Sequence, residues 1–130
     1  MPHRWHLPAG TGILAIAAVI ALTACGGGGG GASTSAPLPT GALAHDPTLL
    51  AGRKVYTAEC VTCHGLHGQG GVGPSFTKGR LVRDFSNAED QVTFVSNGKG
   101  VMPAFGAGIL SRQQIQTVVA YERQVLSRAG

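Results

Sequence analysis

Charge is scarce in this chain, and what there is lies scattered. Asp, Glu, Lys and Arg make up 12% of 130 residues, with six acids against ten bases. Lys78, Arg80 and Arg83 form the only small basic cluster. Nucleic-acid recognition needs a concentrated basic face or stripe, so that class is excluded. Strand-like alternation of useful length is missing too, and so is any internal repeat. The clear apolar spacing is helical, which leaves an all-α domain. The longest apolar run, Ile13 to Leu22, is ten residues. A confident bilayer-spanning helix needs about 20. Cysteine is nearly absent, with three in the chain at positions 25, 60 and 63.

What is present divides the chain in three. Residues 1–24 read as an exported leader. Arg4 stands before the apolar run, and small residues follow it at Thr23-Ala24. A retained helix that begins further upstream is the plainer alternative. LTAC, Leu22 to Cys25, resembles a bacterial lipobox. That resemblance implies that Cys25 becomes the first mature residue and carries lipid, anchoring the chain to a membrane on the exported side. It also separates one cysteine for lipid from two for other chemistry. Residues 25–44 hold six consecutive glycines and then Ser, Thr and Pro without apolar periodicity, the composition of a flexible tether. Such a tether spans on the order of 25 Å. Losing residues 1–24 removes Arg4 alone and leaves nine bases against six acids.

Residues 45–130 make the folded domain. A chain that short buries a limited share of its surface and usually needs a metal, a staple or a cofactor. Asp46-Pro47 predicts a capped helix start and a helix to Glu59, with Gly52 inside it. A glycine there costs around 1 kcal/mol against alanine, so another backbone should approach it closely. Ser86 and Glu89 have capping-box spacing for a middle helix over Ala88 to Ser96, stopped at Asn97-Gly98. Ser111 and Gln114 repeat that spacing for a last helix. Its inward face is Ile115, Val118, Val119 and Leu126, and Glu122 is expected to face solvent. A long glycine-rich stretch from Gly65 to Phe85 serves or wraps a site.

The chemistry concentrates in CVTCH, Cys60 to His64. A redox dithiol of the thioredoxin kind needs a strand before the motif, and none is predicted. A structural zinc would need Cys60, Cys63, His64 and His67 as a closed tetrahedral set. Adjacent Cys63 and His64 turn poorly toward one such centre. The C-x-x-C-H order is the attachment signal of c-type haem: two thiols add across two vinyl groups, and the next imidazole reaches iron. Met102, in GKGVMPAF, is a second ligand candidate, because a soft thioether suits iron and raises its potential. The plainer reading of Met102 is a flexible core filler. His67 reads as a surface loop residue, and His45, just before the first helix cap, could reach iron only if the fold loosened.

With both motifs in that order, residues 45–130 resemble a class I monohaem cytochrome c of the small bacterial kind. Gly52 and Tyr56 resemble the family's first-helix glycine and aromatic. Val118 and Tyr121 resemble its last-helix pair, and Cys60, Cys63 and His64 match its haem motif without departure. Pro74 resembles the proline whose carbonyl accepts a hydrogen bond from the haem-ligating imidazole. The resemblance implies three or more helices around one covalent haem c per chain, with long irregular loops. His64 and Met102 would be the iron ligands, with Phe76, Leu81, Val92, Val95, Phe105 and Leu110 around the haem. Lys78, Arg80 or Arg83 could meet the haem propionates. The implied function is one-electron transfer between redox proteins on the exported side, with a respiratory complex or a dehydrogenase among the partners. No enzymatic activity and no small-molecule substrate are expected. The alternatives are a gas-binding sensor or a peroxidase-like enzyme in which Met102 leaves the iron, and a fixed subunit of a larger complex. ERQVL after Tyr121 and the longer GAGILS segment depart from the family pattern.

Overall fold

A computed structural model describes residues 35–129. The leader 1–24, the lipidation candidate Cys25 and the first part of the tether lie outside the described residues. The described elements are a short turn of 3-10 helix at Gly41–Leu43, five α-helices and two π turns, at Tyr56–Cys60 and Glu122–Leu126, with no strand among them. Helices α1 (Pro47–Val55), α2 (Val61–His64), α3 (Arg80–Asp84), α4 (Ala88–Asn97) and α5 (Arg112–Tyr121) follow in chain order.

Asp46 caps α1 as its sequence suggests. Its side chain accepts from the amides of Thr48 at 2.8 Å and Leu49 at 3.1 Å. The helix does not stop at Glu59. It widens through a π turn at Tyr56–Cys60 and runs on as α2 to His64. The widening serves a spacing. Leu49, Gly52, Tyr56, Cys60 and His64 are all buried, and the last four stand four residues apart. Four residues of an α-helix overshoot a full turn by about 40°. Three such steps would carry His64 well round the helix, and one wider turn offsets much of that drift.

Gly52 lies where α1 meets α5. A Cβ built on it would stand 2.0 Å from the Thr117 carbonyl oxygen and 2.8 Å from Tyr121 Cβ. Only a residue without a side chain lets the two backbones approach this closely. Around the contact, the Tyr56 ring lies 5.7 Å from that of Tyr121 and 6.3 Å from that of Phe76. Val118 and Leu126 complete this part of the core. Val92, Val95, Phe105, Leu110, Ile115 and Val119 form a second part, between α4, α5 and the loop that joins them.

The middle helix starts at Ala88, as expected, and runs to Asn97, but its cap differs. The cap is Asn87, whose side chain accepts from the Glu89 amide at 3.0 Å, rather than Ser86. Asn caps as well as Ser, and the spacing rule cannot separate adjacent candidates. The Ser111 box closes fully: Gln114 N donates to Ser111 Oγ at 3.2 Å, and Ser111 N donates to Gln114 Oε1 at 2.9 Å. Ser111→Ala is expected to cost about 1 kcal/mol. A lower urea midpoint at unchanged slope would show it, and an unchanged midpoint would mean the box contributes nothing.

Residues 35–44, given to the tether by composition, do pack. Ala36 is fully buried. Arg53 Nε donates to its carbonyl, and its amide donates to Thr57 Oγ1 at 3.3 Å. Tyr121 Oη donates to the Pro37 carbonyl at 2.6 Å. Packed structure therefore begins before residue 45. Composition missed it because these bonds use the segment's backbone and not its side chains.

Candidate haem site

A cavity of about 540 Å³ opens between the α2 end, the glycine-rich loop, α4 and the loop that carries Met102. Cys60, Cys63, His64, Pro74 and Met102 all line it. The long helical rod delivers the first three from one end. Cys60 and His64 are buried and Cys63 is half-buried. Neither Cys60 nor Cys63 is in a disulfide. Burial pushes the Cys60 thiol well above its ordinary range, and the nearby Glu122 carboxylate adds to the shift.

The loop after α2 folds back on the helix end. Gly70 N donates to the His64 carbonyl at 2.8 Å, and Gly73 N donates to the Cys63 carbonyl at 2.8 Å. Tyr56 Oη donates to the Gly65 carbonyl at 2.7 Å. Carbonyls that a helix terminus leaves unpaired are thus satisfied by the loop. The loop also orients the imidazole. His64 Nδ1 lies 3.0 Å from the Pro74 carbonyl oxygen, which can only accept. Nδ1 therefore carries the hydrogen, and Nε2 keeps its lone pair for another partner. Phe76 stacks on the ring at 4.3 Å between centroids. Gly73 is forced, since a Cβ there would stand 2.4 Å from His64 Cε1.

Across the cavity, Met102 sits in a tight turn. Lys99 and Met102 exchange backbone hydrogen bonds, each at 3.1 Å. Met102 is half-buried and packs against the core part that contains Val95 and Phe105. Two thiols, a lone-pair nitrogen and a thioether thus line one cavity with largely apolar walls. That donor set is soft and suits iron in a haem. Zinc is served poorly: His67 is exposed, outside the cavity, and among the described residues no three His, Cys, Asp or Glu converge on a metal position.

A family model described as cytochrome c oxidase, cbb3-type, subunit III matches residues 47–121. The chain belongs to this family of c-type cytochromes. Cytochrome c6 of Rippkaea orientalis is 39% identical over 83 residues, covering 62% of this chain and 71% of that protein. Cytochrome c6 of a Synechococcus strain is 40% identical over 86 residues, covering 65% and 74%. Among solved structures, cytochrome c6C from Synechococcus sp. PCC 7002 is 29% identical with a TM-score of 0.50, covering 58% of this chain and 94% of that one. The chain is a one-electron carrier and not an enzyme. Its all-α architecture is that of the small cytochrome c fold.

The walls of this c-type cytochrome's cavity differ from expectation in places. Phe76, Leu81, Val95 and Phe105 line it, while Val92 and Leu110 are buried in the second part of the core. Phe85 and Phe94, with rings 5.2 Å apart, line it as well. Lys78, Arg80 and Arg83 do not. Arg83 Nη1 donates to the Lys78 carbonyl at 2.6 Å, and Arg80 pairs with Asp84 at 3.4 Å. The cation on the cavity wall is Lys99.

Glu122 is the clearest correction. It is 3% exposed, lines the cavity, and its Oε2 accepts from Gln91 Nε2 at 2.8 Å. Burial pushes its carboxyl up to about 8, against the Gln91 hydrogen bond, which favours the ionised form. Helical spacing held the signal. Position 122 stands four residues after Val118 and seven after Ile115, on the inward stripe. Charge alone had argued for solvent.

Proposed function

We propose that Cys60 and Cys63 hold one haem c through thioethers, with His64 and Met102 as the axial ligands of its iron. The observation that carries this reading is the His64 imidazole, buried, anchored through Nδ1 to Pro74 and left with its Nε2 lone pair, in the same cavity as Met102. When bound, the haem supplies a one-electron couple. The chain's own part is to hold it, to fill both axial positions and to keep water away. Phe76, Phe85, Phe94, Val95 and Phe105 supply that apolar enclosure. With His64 and Met102 both holding the iron, no substrate site would remain at the metal.

At the mouth of the cavity stand Val72, Val101 and Ile109, which are 72%, 84% and 51% exposed. An exposed apolar rim around a redox group suits brief docking by a partner protein, and such contacts are small and weak. The domain is exported and faces the periplasm or the cell exterior. Residues 1–24 are its leader, and Cys25 anchors it by lipid through a tether that ends near residue 35. It then exchanges electrons with redox proteins at the membrane, among them a respiratory complex or a dehydrogenase. The family's description as an oxidase subunit favours a second reading as a fixed component of such a complex. A stoichiometric partner that survives purification would support that reading; purification as a lone chain would support the shuttle.

The test is visible absorption of the full chain, extracted in detergent, in oxidised, reduced and reduced-plus-carbon-monoxide forms, after a denaturing check for covalent haem. Expected are haem retained on denaturation, the far-red band of methionine-bound ferric iron, and no prompt change under carbon monoxide. Prompt gas binding would move the assignment to a sensor or an enzyme with an open iron. A matured chain without haem would overturn the reading.

A further inference from the structure

Glu122 is the only buried carboxyl among the described residues, and the electron-carrier reading gives it no task. It lies beside Cys60, the first haem-anchoring thiol, and helps to wall the cavity. Its hydrogen-bond partner is neutral. Gln91 donates to it, and Gln91 is oriented by Arg123, whose Nη1 donates to Gln91 Oε1 at 3.2 Å and to the Phe85 carbonyl at 2.8 Å. With its oxygen turned to Arg123, the Gln91 amide presents its NH₂ to Glu122. The ion pairs among the described residues are Arg80–Asp84 and Arg112–Glu89, so no cation neutralises Glu122 directly. The titratable groups that face it are Tyr56 from the π turn and Tyr121 from α5; the Cys60 sulfur faces it too, as a thioether once haem is attached. Glu59, Asp84 and Lys99 are the other charged residues on the cavity wall.

We propose that Glu122 is a redox-linked proton site: its carboxylate takes up one proton as the haem gains one electron, and gives it back as the electron leaves. The proposal rests on the haem reading above. The balance is simple. One electron comes from a reduced partner protein and one proton from water. Glu122 goes from carboxylate to carboxylic acid as the haem goes from ferric to ferrous.

The physical basis is charge in a dry place. The haem loses one positive charge on reduction, and a buried carboxylate close by feels that loss strongly because little water screens it. Ferric haem therefore favours the carboxylate, and ferrous haem favours the acid. Burial already lifts Glu122 out of the ordinary carboxylate range to about 8. The proton affinity of Glu122 is expected to differ about tenfold between the two oxidation states. Between the two titrations reduction carries a proton with it, so the midpoint potential falls as pH rises. Below and above that window this carboxyl contributes no slope.

The experiment is a midpoint-potential titration of the full-chain holoprotein from about pH 5 to about pH 10, with parent and Glu122→Gln side by side. Redox-difference infrared spectra of both are recorded in parallel. Glutamine keeps an oxygen for Gln91 to donate to and cannot ionise. The parent is expected to show the fall in potential, and a protonated-carboxyl band should appear on reduction. The variant should lose both that slope and that band. A parent potential flat in pH, an equal slope in the variant, or no carboxyl band in the parent would overturn the proposal. If Glu122→Gln does not fold, the parent's infrared band and potential still decide. A reversible couple without pH dependence sinks the proton site alone, whereas a chain with no covalent haem sinks the electron-carrier reading with it.

Discussion

Gly52→Val is expected to give a chain that accumulates poorly or melts far below the parent. The Cβ position at residue 52 lies 2.0 Å from the Thr117 carbonyl oxygen and 2.7 Å from its carbon. Those are backbone atoms of α5 and cannot rotate aside. Relief would require α1 and α5 to separate, which would open the packing of Tyr56, Val118 and Tyr121. Overpacking commonly costs about 1–3 kcal/mol when side chains can adjust. Here they cannot, so more than about 3 kcal/mol is expected, a large share of a small domain's stability. Gly52→Ala separates the causes. Alanine gains roughly 1 kcal/mol in helix propensity, yet it too is expected to lose stability because the clash begins at Cβ. Thermal and urea unfolding followed by circular dichroism would measure both. An alanine variant as stable as the parent would show that the helices are not held as closely as the structure has them.

Met102→Ala is expected to keep the haem covalently attached and to change nearly everything else about it. On the proposed reading the thioethers belong to Cys60 and Cys63, on the far end of the chain's first helical rod, and the substitution does not touch them. Removing the thioether of Met102 opens one axial position. The far-red ferric band should vanish, and carbon monoxide should bind the ferrous form promptly. The potential should also fall, since methionine raises it relative to harder ligands. The fold should survive, because the turn is held by the backbone exchange between Lys99 and Met102, which alanine preserves. Visible spectra identical to the parent's in both oxidation states would remove Met102 from the ligand set.

The two variants probe features that were legible to different degrees. The Gly52 contact could be inferred because a glycine inside an otherwise good helix needs a reason, and a neighbouring backbone is the usual one. The Ser111–Gln114 cap was legible because its partners are three residues apart. Composition misled for residues 35–44, whose Ser, Pro and Ala read as spacer but whose backbone is held by Arg53, Thr57 and Tyr121. Charge misled for Glu122, although its place on the inward stripe was plain from Val118 and Ile115. Ser86 and Asn87 were indistinguishable as caps, because both residue types do the job.

By itself the sequence determined the helical class, the order of the chemistry-bearing residues and the spacing that puts two thiols and an imidazole on one short stretch of helix. Those are local properties, set by residue type and by separations of a few positions. Only the tertiary structure decided what stands opposite them. Met102 faces the cavity across 38 residues from His64, Gln91 reaches Glu122 across 31, and Tyr121 holds Pro37 across 84. The choice of Lys99 over the Lys78–Arg83 cluster on the cavity wall was settled in the same way. Contacts at such separations depend on how helices pack, and packing depends on the shape and volume of every side chain between them.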